Sequence, residues 1–284
     1  MGTRKRVEVL DGLVIRRKSP WSASVQSFLE FVDDRVPGLV PTPEGFDAES
    51  EFLRFVPGEV CSSPRPAWAR SPQFLTQTGH RLAVLHGLGR EFLARNQTSE
   101  WFPHCCSFPV DTICHNDLVL TNVVWNNDSA TFIDWEMASP GNSLTDLVCL
   151  AWHSVPLYSL SDLNSEGFVS ASFDTIERLT LLCEGYGLSL SPKFVSSLLG
   201  ALDRHICSTI ELTKLAHETD LVYLDNWREI DIGVFSSDLS YLRNCRVAIR
   251  AADDPSLSMI EEIMFQTRNR FSSVSKREDV RGSP

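Results

Sequence analysis

The chain has 284 residues, of which 43% are hydrophobic and 22% charged. That balance suits one large or two unequal globular domains and excludes wholesale disorder, collagen and coiled coil. Acidic residues outnumber basic ones by 37 to 26, a net charge of −11, which opposes broad binding to nucleic acid or to anionic membranes.

At the N-terminus, Arg4-Lys5-Arg6 leads into a stretch broken by Glu8 and Asp11. No apolar signal core follows, and no apolar run approaches the ~20 residues of a membrane span. The expected location is the cytoplasm. Val7 to Leu10 and Leu13 to Arg17 read as strands, and Asp11-Gly12 between them is a hairpin signal. Ser19-Pro20-Trp21-Ser22 stops the second strand and offers an N-cap. Val25, Phe28, Leu29 and Val32 then recur at helical spacing over 23–34. Pro37, Pro41 and Pro43 mark an irregular return, and Glu51 to Val56 reads as a strand ended by Pro57-Gly58.

Residues 61–71 are rich in Ser and Pro, as linkers are. A helix is expected from Pro72 to about Arg90, with Leu75, Leu82, Leu85 and His86 on one face. Short strands follow at Val110–Cys114, Val123–Trp125 and Thr131–Ile133, the last two joined by the turn Asn126-Asn127-Asp128-Ser129. Beyond Leu144 the pattern is helical: 143–154, 172–186, 192–217, 220–228 and 232–250. From about 268 the sequence reads as a frayed tail. The eight cysteines lack zinc-site spacing and mostly sit among apolar neighbours, so they read as small buried hydrophobes. His86 and His153 likewise read as hydrogen-bonded core histidines.

The informative segment runs from Ile113 to Leu147. It holds His115-x-Asp117, Asn122 five residues after that Asp, and Asp134 at the end of the apolar run Thr131-Phe132-Ile133. The set suits phosphoryl transfer, in which the protein mainly positions groups and neutralises charge. A carboxylate such as Asp117 can accept the proton of an attacking hydroxyl. Asn122 and Asp134 offer the hard oxygens that Mg²⁺ prefers.

Cys114-His115-Asn116-Asp117-Leu118 with Asn122, Phe132-Ile133-Asp134-Trp135-Glu136, Pro140-Gly141 and Asp146-Leu147 resemble the aminoglycoside/choline phosphotransferase family. The resemblance extends more loosely, through Arg16-Arg17, Pro20-Trp21, Phe55 to Val60 and Ala151 to Leu157, to a bacterial subgroup that includes proteins of trifolitoxin immunity or processing. It implies an α+β, protein-kinase-like fold of two lobes, with a reduced N-terminal β lobe and a mainly helical C-terminal lobe. The expected division is 1–57 for the small nucleotide-binding lobe, 58–267 for the helical lobe with the catalytic loop and substrate site, and 268–284 for the tail. ATP and Mg²⁺ are the implied cofactors, with Asp117 as catalytic base, Asn122 and Asp134 as metal ligands, and His115 and Asp146 in structural roles.

Two features depart from the family pattern. The glycine-rich phosphate loop is reduced to Gly12, and the strand lysine is absent. Strand alternation puts Ile15 and Arg17 on one face of their strand and Arg16 and Lys18 on the other. If Ile15 faces adenine, Arg17 faces the phosphates, with Glu30 on the next helix as its ion-pair partner. Phe55 and Val56 are the expected adenine-accepting hinge. The expected function is transfer of the γ-phosphate of ATP to a hydroxyl of a small molecule, with antibiotic inactivation as one purpose. A cationic acceptor would suit the acids Asp220, Asp225, Glu229 and Asp231. The alternative is a catalytically weak or inactive relative serving in immunity to, or maturation of, a peptide antibiotic.

Overall fold

The computed structural model describes residues 7–96, 100–103, 109–155, 157–158, 174–219 and 222–279. Cys105, Cys106, Asp220 and Pro156 lie outside them. Strands β1 (Glu8–Leu10) and β2 (Leu13–Arg17) meet at Asp11 (φ 51°) and Gly12 (φ 77°). Positive φ at both central residues is the two-residue hairpin geometry that an Asp-Gly pair supports. Helix α1 (Ser22–Asp33) buries Val25, Phe28, Leu29 and Val32. After it come β3 (Pro43–Phe46) and β4 (Ser50–Arg54), completing an antiparallel sheet of order β1-β2-β4-β3.

Between Arg54 and Glu59 the chain crosses to a second sheet. Its strands are β5 (Glu59–Val60), β7 (Val123–Asn126) and β8 (Ser129–Phe132), in the order β5-β7-β8. Gly58 is required at the crossing. Its φ is 152°, and a Cβ there would run into the Val124 side chain and the Trp125 carbonyl. The β7–β8 turn repeats the first hairpin's geometry, with positive φ at Asn127 and Asp128. A third pair joins β6 (Thr112–Cys114) to β9 (Ser139–Gly141).

The helical part comprises α2 (Ala67–Arg70), α3 (Pro72–Arg95), α4 (Ser143–Ser154), α5 (Thr175–Tyr186), α6 (Pro192–Glu218), α7 (Ile232–Ala251) and α8 (Leu257–Asp279). Asn142, Asp174, Ser191 and Asp231 cap α4 to α7 through their side chains, as short polar residues at N-caps do. The expected helix at 220–228 is a 3₁₀ segment, Val222–Glu229. Where the sequence suggests a frayed tail from 268, α8 runs on to Asp279. Arg268 on it is buried and donates to the Tyr158 carbonyl while lying over the Tyr241 ring. Its aliphatic stem adds buried apolar surface to a stretch that is mostly polar in sequence.

The core is continuous across both parts. Phe28 on α1 meets Phe92 on α3 and Trp135 near the site edge-on, with ring centroids 5.3 and 5.6 Å apart. Burying each such ring contributes roughly 1.5–3 kcal/mol, so α1 is seated on the same core that carries the site. The architecture is the expected α+β, kinase-like one, a small antiparallel sheet followed by a mainly helical part.

Candidate functional site

Asp146, on the first turn of α4, is fully buried, and its carboxylate organises the loop after β6. The backbone N–H groups of His115 and Asn116 donate to it at 2.7 and 2.8 Å. His86 on α3 reaches the same carboxylate through Nε2 at 3.1 Å, and its Nδ1 lies 2.7 Å from the Tyr186 hydroxyl on α5. Burial alone would raise the pKa of Asp146. The hydrogen bond and charge of His86, the charge of His115 and the backbone donor at His115 outweigh it, and the pKa is lowered. Asp146 is therefore a permanent anion on which the loop is hung.

His115 ties this loop to the end of β8. Its Nε2 donates to the Ile133 carbonyl at 2.7 Å, so Nε2 carries the proton and Nδ1 is left to accept from the Asp117 N–H at 3.3 Å. The ring lies against Trp135, centroids 4.6 Å apart. Asn116 takes φ 66°, a left-handed conformation for which asparagine is enriched. Its amide donates to the Met137 carbonyl and the Ser139 hydroxyl, while its Oδ1 is buried without a hydrogen-bond partner.

Asp117 and Asn122 are in contact: the Asn122 amide donates to the Asp117 carbonyl at 2.9 Å and to its carboxylate Oδ2 at 3.0 Å. Asp134 follows Ile133, whose N–H donates to the Asn122 carbonyl. It also adopts the left-handed region, φ 63°. Burial pushes the Asp117 carboxyl up to about 6; His115 and Asn122 oppose this, and the nearby Asp134 and Glu136 add to it. Asp117 and Asp134 line one cavity of ≈ 230 Å³ together with Glu136 and residues of α4, α6 and α7.

The strand arginine is Arg16, one residue before the one expected. Val14 and Arg16 share the face of β2 turned to the core, and Arg16 is 8% exposed. It stands directly opposite Glu51 in the β2–β4 ladder. Its Nε donates to Glu51 Oε1 at 2.5 Å and its Nη1 to Asp134 Oδ1 at 2.5 Å. Burial alone would lower its pKa, but Glu51, Asp134 and Glu136 hold the guanidinium charged, with the pKa raised. Arg17 and Glu30 are exposed, and the structure does not bring them together. The expected pairing slipped by one position, which in a strand of period two reverses the face. The usable signals were Glu51, an acid between Ser50 and the apolar Phe52-Leu53, and the apolar face that Val14 defines.

Phe55 and Val56 follow β4 at the crossing between the two sheets. Phe55 donates its N–H to the Gly12 carbonyl at 2.8 Å and is 46% exposed, while Val56 is half-buried. His86 is the hydrogen-bonded core histidine that the sequence suggests, fully buried and bonded to Asp146 and the Tyr186 hydroxyl.

The donor set fits a hard divalent cation bound with a nucleotide. The Asn122 NH₂ is spent on Asp117, which leaves its amide oxygen for a ligand. Arg16 takes Asp134 Oδ1, which leaves Oδ2. One amide and one carboxylate, completed by water and phosphate oxygens, is a normal Mg²⁺ arrangement.

By fold, the chain is kinase-like. It is similar to a choline/ethanolamine kinase family protein from Mesorhizobium loti (14% identity, TM-score 0.52, covering 90% of this chain and 87% of that one). It is likewise similar to an amicoumacin kinase solved with AMP-PNP and Ca²⁺ (13% identity, TM-score 0.55, 86% and 83%). Residues 107–161 match the model of the phosphotransferase enzyme family, so the family resemblance read from the catalytic segment holds. In sequence the chain is similar to the trifolitoxin immunity protein of Rhizobium leguminosarum bv. trifolii. The two are 28% identical over 218 residues, 70% of this chain and 77% of the relative.

Proposed function

We propose that this protein transfers the γ-phosphoryl group of ATP to a hydroxyl of a small molecule in the cytoplasm, with Mg²⁺. One observation carries the reading: Asp117 and Asp134 face a single cavity, with Asn122 bonded to Asp117 and Arg16 to Asp134. Asp117 orients the acceptor hydroxyl and takes its proton as the oxygen bonds to phosphorus and the bond to ADP breaks. Asn122 and Asp134 would hold Mg²⁺, which neutralises phosphate charge when bound. Arg16 adds a fixed positive charge beside Asp134, the position a strand lysine takes in the kinase-like fold. His115 and Asp146 keep the loop in register. Phe55 and Val56, at the crossing between the sheets, would meet the adenine. Inactivation of an antibiotic is one use of such an activity.

A second reading is favoured by the immunity protein to which the chain is similar. In that reading the same fold, catalytically weak or inactive, confers immunity to a peptide antibiotic or assists its maturation. Thermal-shift titration separates the two. Mg·ATP should raise the melting temperature of the wild type by mass action, and Asp134→Ala should abolish the Mg²⁺-dependent part. No shift at millimolar Mg·ATP would sink the first reading and leave the second.

A further inference from the structure

The cavity beside Asp117 has walls of two kinds. Its three carboxylates, Asp117, Asp134 and Glu136, all come from the loop-and-strand side. The helical side contributes Trp152, His153, His205, Trp227 and Phe235, with Cys149, Thr209 and Ile230, and no acid among the described residues. Trp152 forms the centre of that side. Its ring lies 4.7 Å from His153 and 5.8 Å from Phe235, and its indole N–H is held by Asp238 at 3.0 Å.

Among the described residues, this wall brings no carboxylate to the cavity, so no fixed negative charge on it would pair a cation. Arg65 donates to the His153 carbonyl. Burial, with the charges of Arg65 and His205, lowers the His153 imidazole to about 3, so it is neutral at physiological pH. Of the acids that made a cationic acceptor attractive, Glu229 and Asp231 are not among the residues that line this wall. Glu229 and Asp231 are exposed, and Asp231 caps α7 by accepting from the Gly233 N–H at 2.8 Å. Asp220 and the side chain of Asp225 lie outside the described residues.

Resting on the phosphotransferase reading above, we propose that the acceptor is an uncharged alcohol built on a single aromatic or heteroaromatic ring. The ring packs among Trp152, Trp227 and Phe235, and the hydroxyl points to Asp117. The cavity, at ≈ 230 Å³, is below the roughly 300–1,000 Å³ of sites for drug-sized ligands, so one ring fits and an oligosaccharide does not. Offset and edge-on ring contacts are worth roughly 0.5–1.5 kcal/mol beyond burial.

The test is saturation-transfer NMR with benzyl alcohol, 3-hydroxybenzyl alcohol and choline, run beside thermal shift with Mg·ATP. Both ring alcohols should bind in preference to choline. Trp227→Leu should weaken them by roughly three- to tenfold, and Phe235→Leu provides a second variant should the first fail to fold. A preference for choline would overturn the proposal, as would binding of neither kind by a chain that does bind Mg·ATP; the phosphotransferase reading would then stand. A chain that binds the ring alcohols and not Mg·ATP would overturn that reading instead.

Discussion

Arg16 and Arg17 differ in nothing chemical and in everything positional. Arg16 is buried against Glu51 and Asp134, and Arg17 is exposed. Hydrogen bonds to charged groups are worth about 1.5–3 kcal/mol. Arg16→Ala should therefore weaken Mg·ATP roughly tenfold or more by calorimetry, and Arg17→Ala should leave the dissociation constant unchanged. Equal effects would remove Arg16 from the phosphate site. Arg16→Ala should also lower stability, because it leaves Glu51 buried and unpaired. Arg16→Lys keeps the charge but not the fork that reaches two carboxylates at once.

Asp117 shows the cost of a desolvated carboxyl. Its folded pKa, about 6, lies above the ordinary carboxylate value of about 3.9. Between those values the folded state holds the extra proton, so this group's contribution to stability is intact at low pH and is lost as pH rises through the folded value. For the metal-free protein, the Asp117→Asn variant should be more stable than wild type above pH 6, on the order of 1 kcal/mol, and this advantage should vanish toward pH 4. Urea titrations across that range would show it, and a constant difference would mean that the carboxylate is not desolvated. The same substitution should remove turnover, about 10²-fold or more, if Asp117 is the base.

At the scale of elements, the site depends on how closely α3 and α5 approach. A Cβ at Gly79 would strike the Leu182 carbonyl and the Tyr186 N–H. One at Gly185 would strike the Thr76 backbone. Backbone cannot move aside as a side-chain tip can, so only glycine permits this contact. The same two helices carry His86, which reaches Asp146 beneath the loop after β6, and Tyr186, whose hydroxyl bonds His86. Gly79→Ala should destabilise by about 1–3 kcal/mol despite alanine's better helix propensity, measured as a shifted urea midpoint. A neutral result would mean that the helices can separate without cost.

Most of these elements are legible in the sequence because their signals are local. Asp11-Gly12 and Asn127-Asp128 supply the positive φ that two-residue hairpins need. Pro72 and Pro192 open their helices behind the serine caps Ser71 and Ser191. Elements with weak local signals were less readable. β9 is only Ser139-Pro140-Gly141 and exists by pairing with β6. The far end of α8 is polar in sequence and is anchored through Arg268.

At the scale of the whole molecule, the described residues form three sheets, of four, three and two strands, and seven helices longer than a single turn. No helix among the described residues is long and apolar enough to cross a membrane. The sequence by itself determined the chemistry available: Asp117, Asn122 and Asp134 are set by spacing within one short stretch, and spacing survives without knowledge of the rest of the chain. It also determined the two hairpins and most of the longer helices, because periodicity and turn residues act over a few positions, whereas β3, α2 and β9 were not read from it. Only the tertiary structure decided which arginine reaches Asp134, since the face of β2 depends on what β4 and the core place against it. The pocket was likewise out of reach, because Trp152, His205 and Phe235 lie tens of residues apart and share a wall only after α4, α6 and α7 pack. Long-range packing, which no local pattern encodes, turned a readable catalytic segment into a cavity with a shape and a charge.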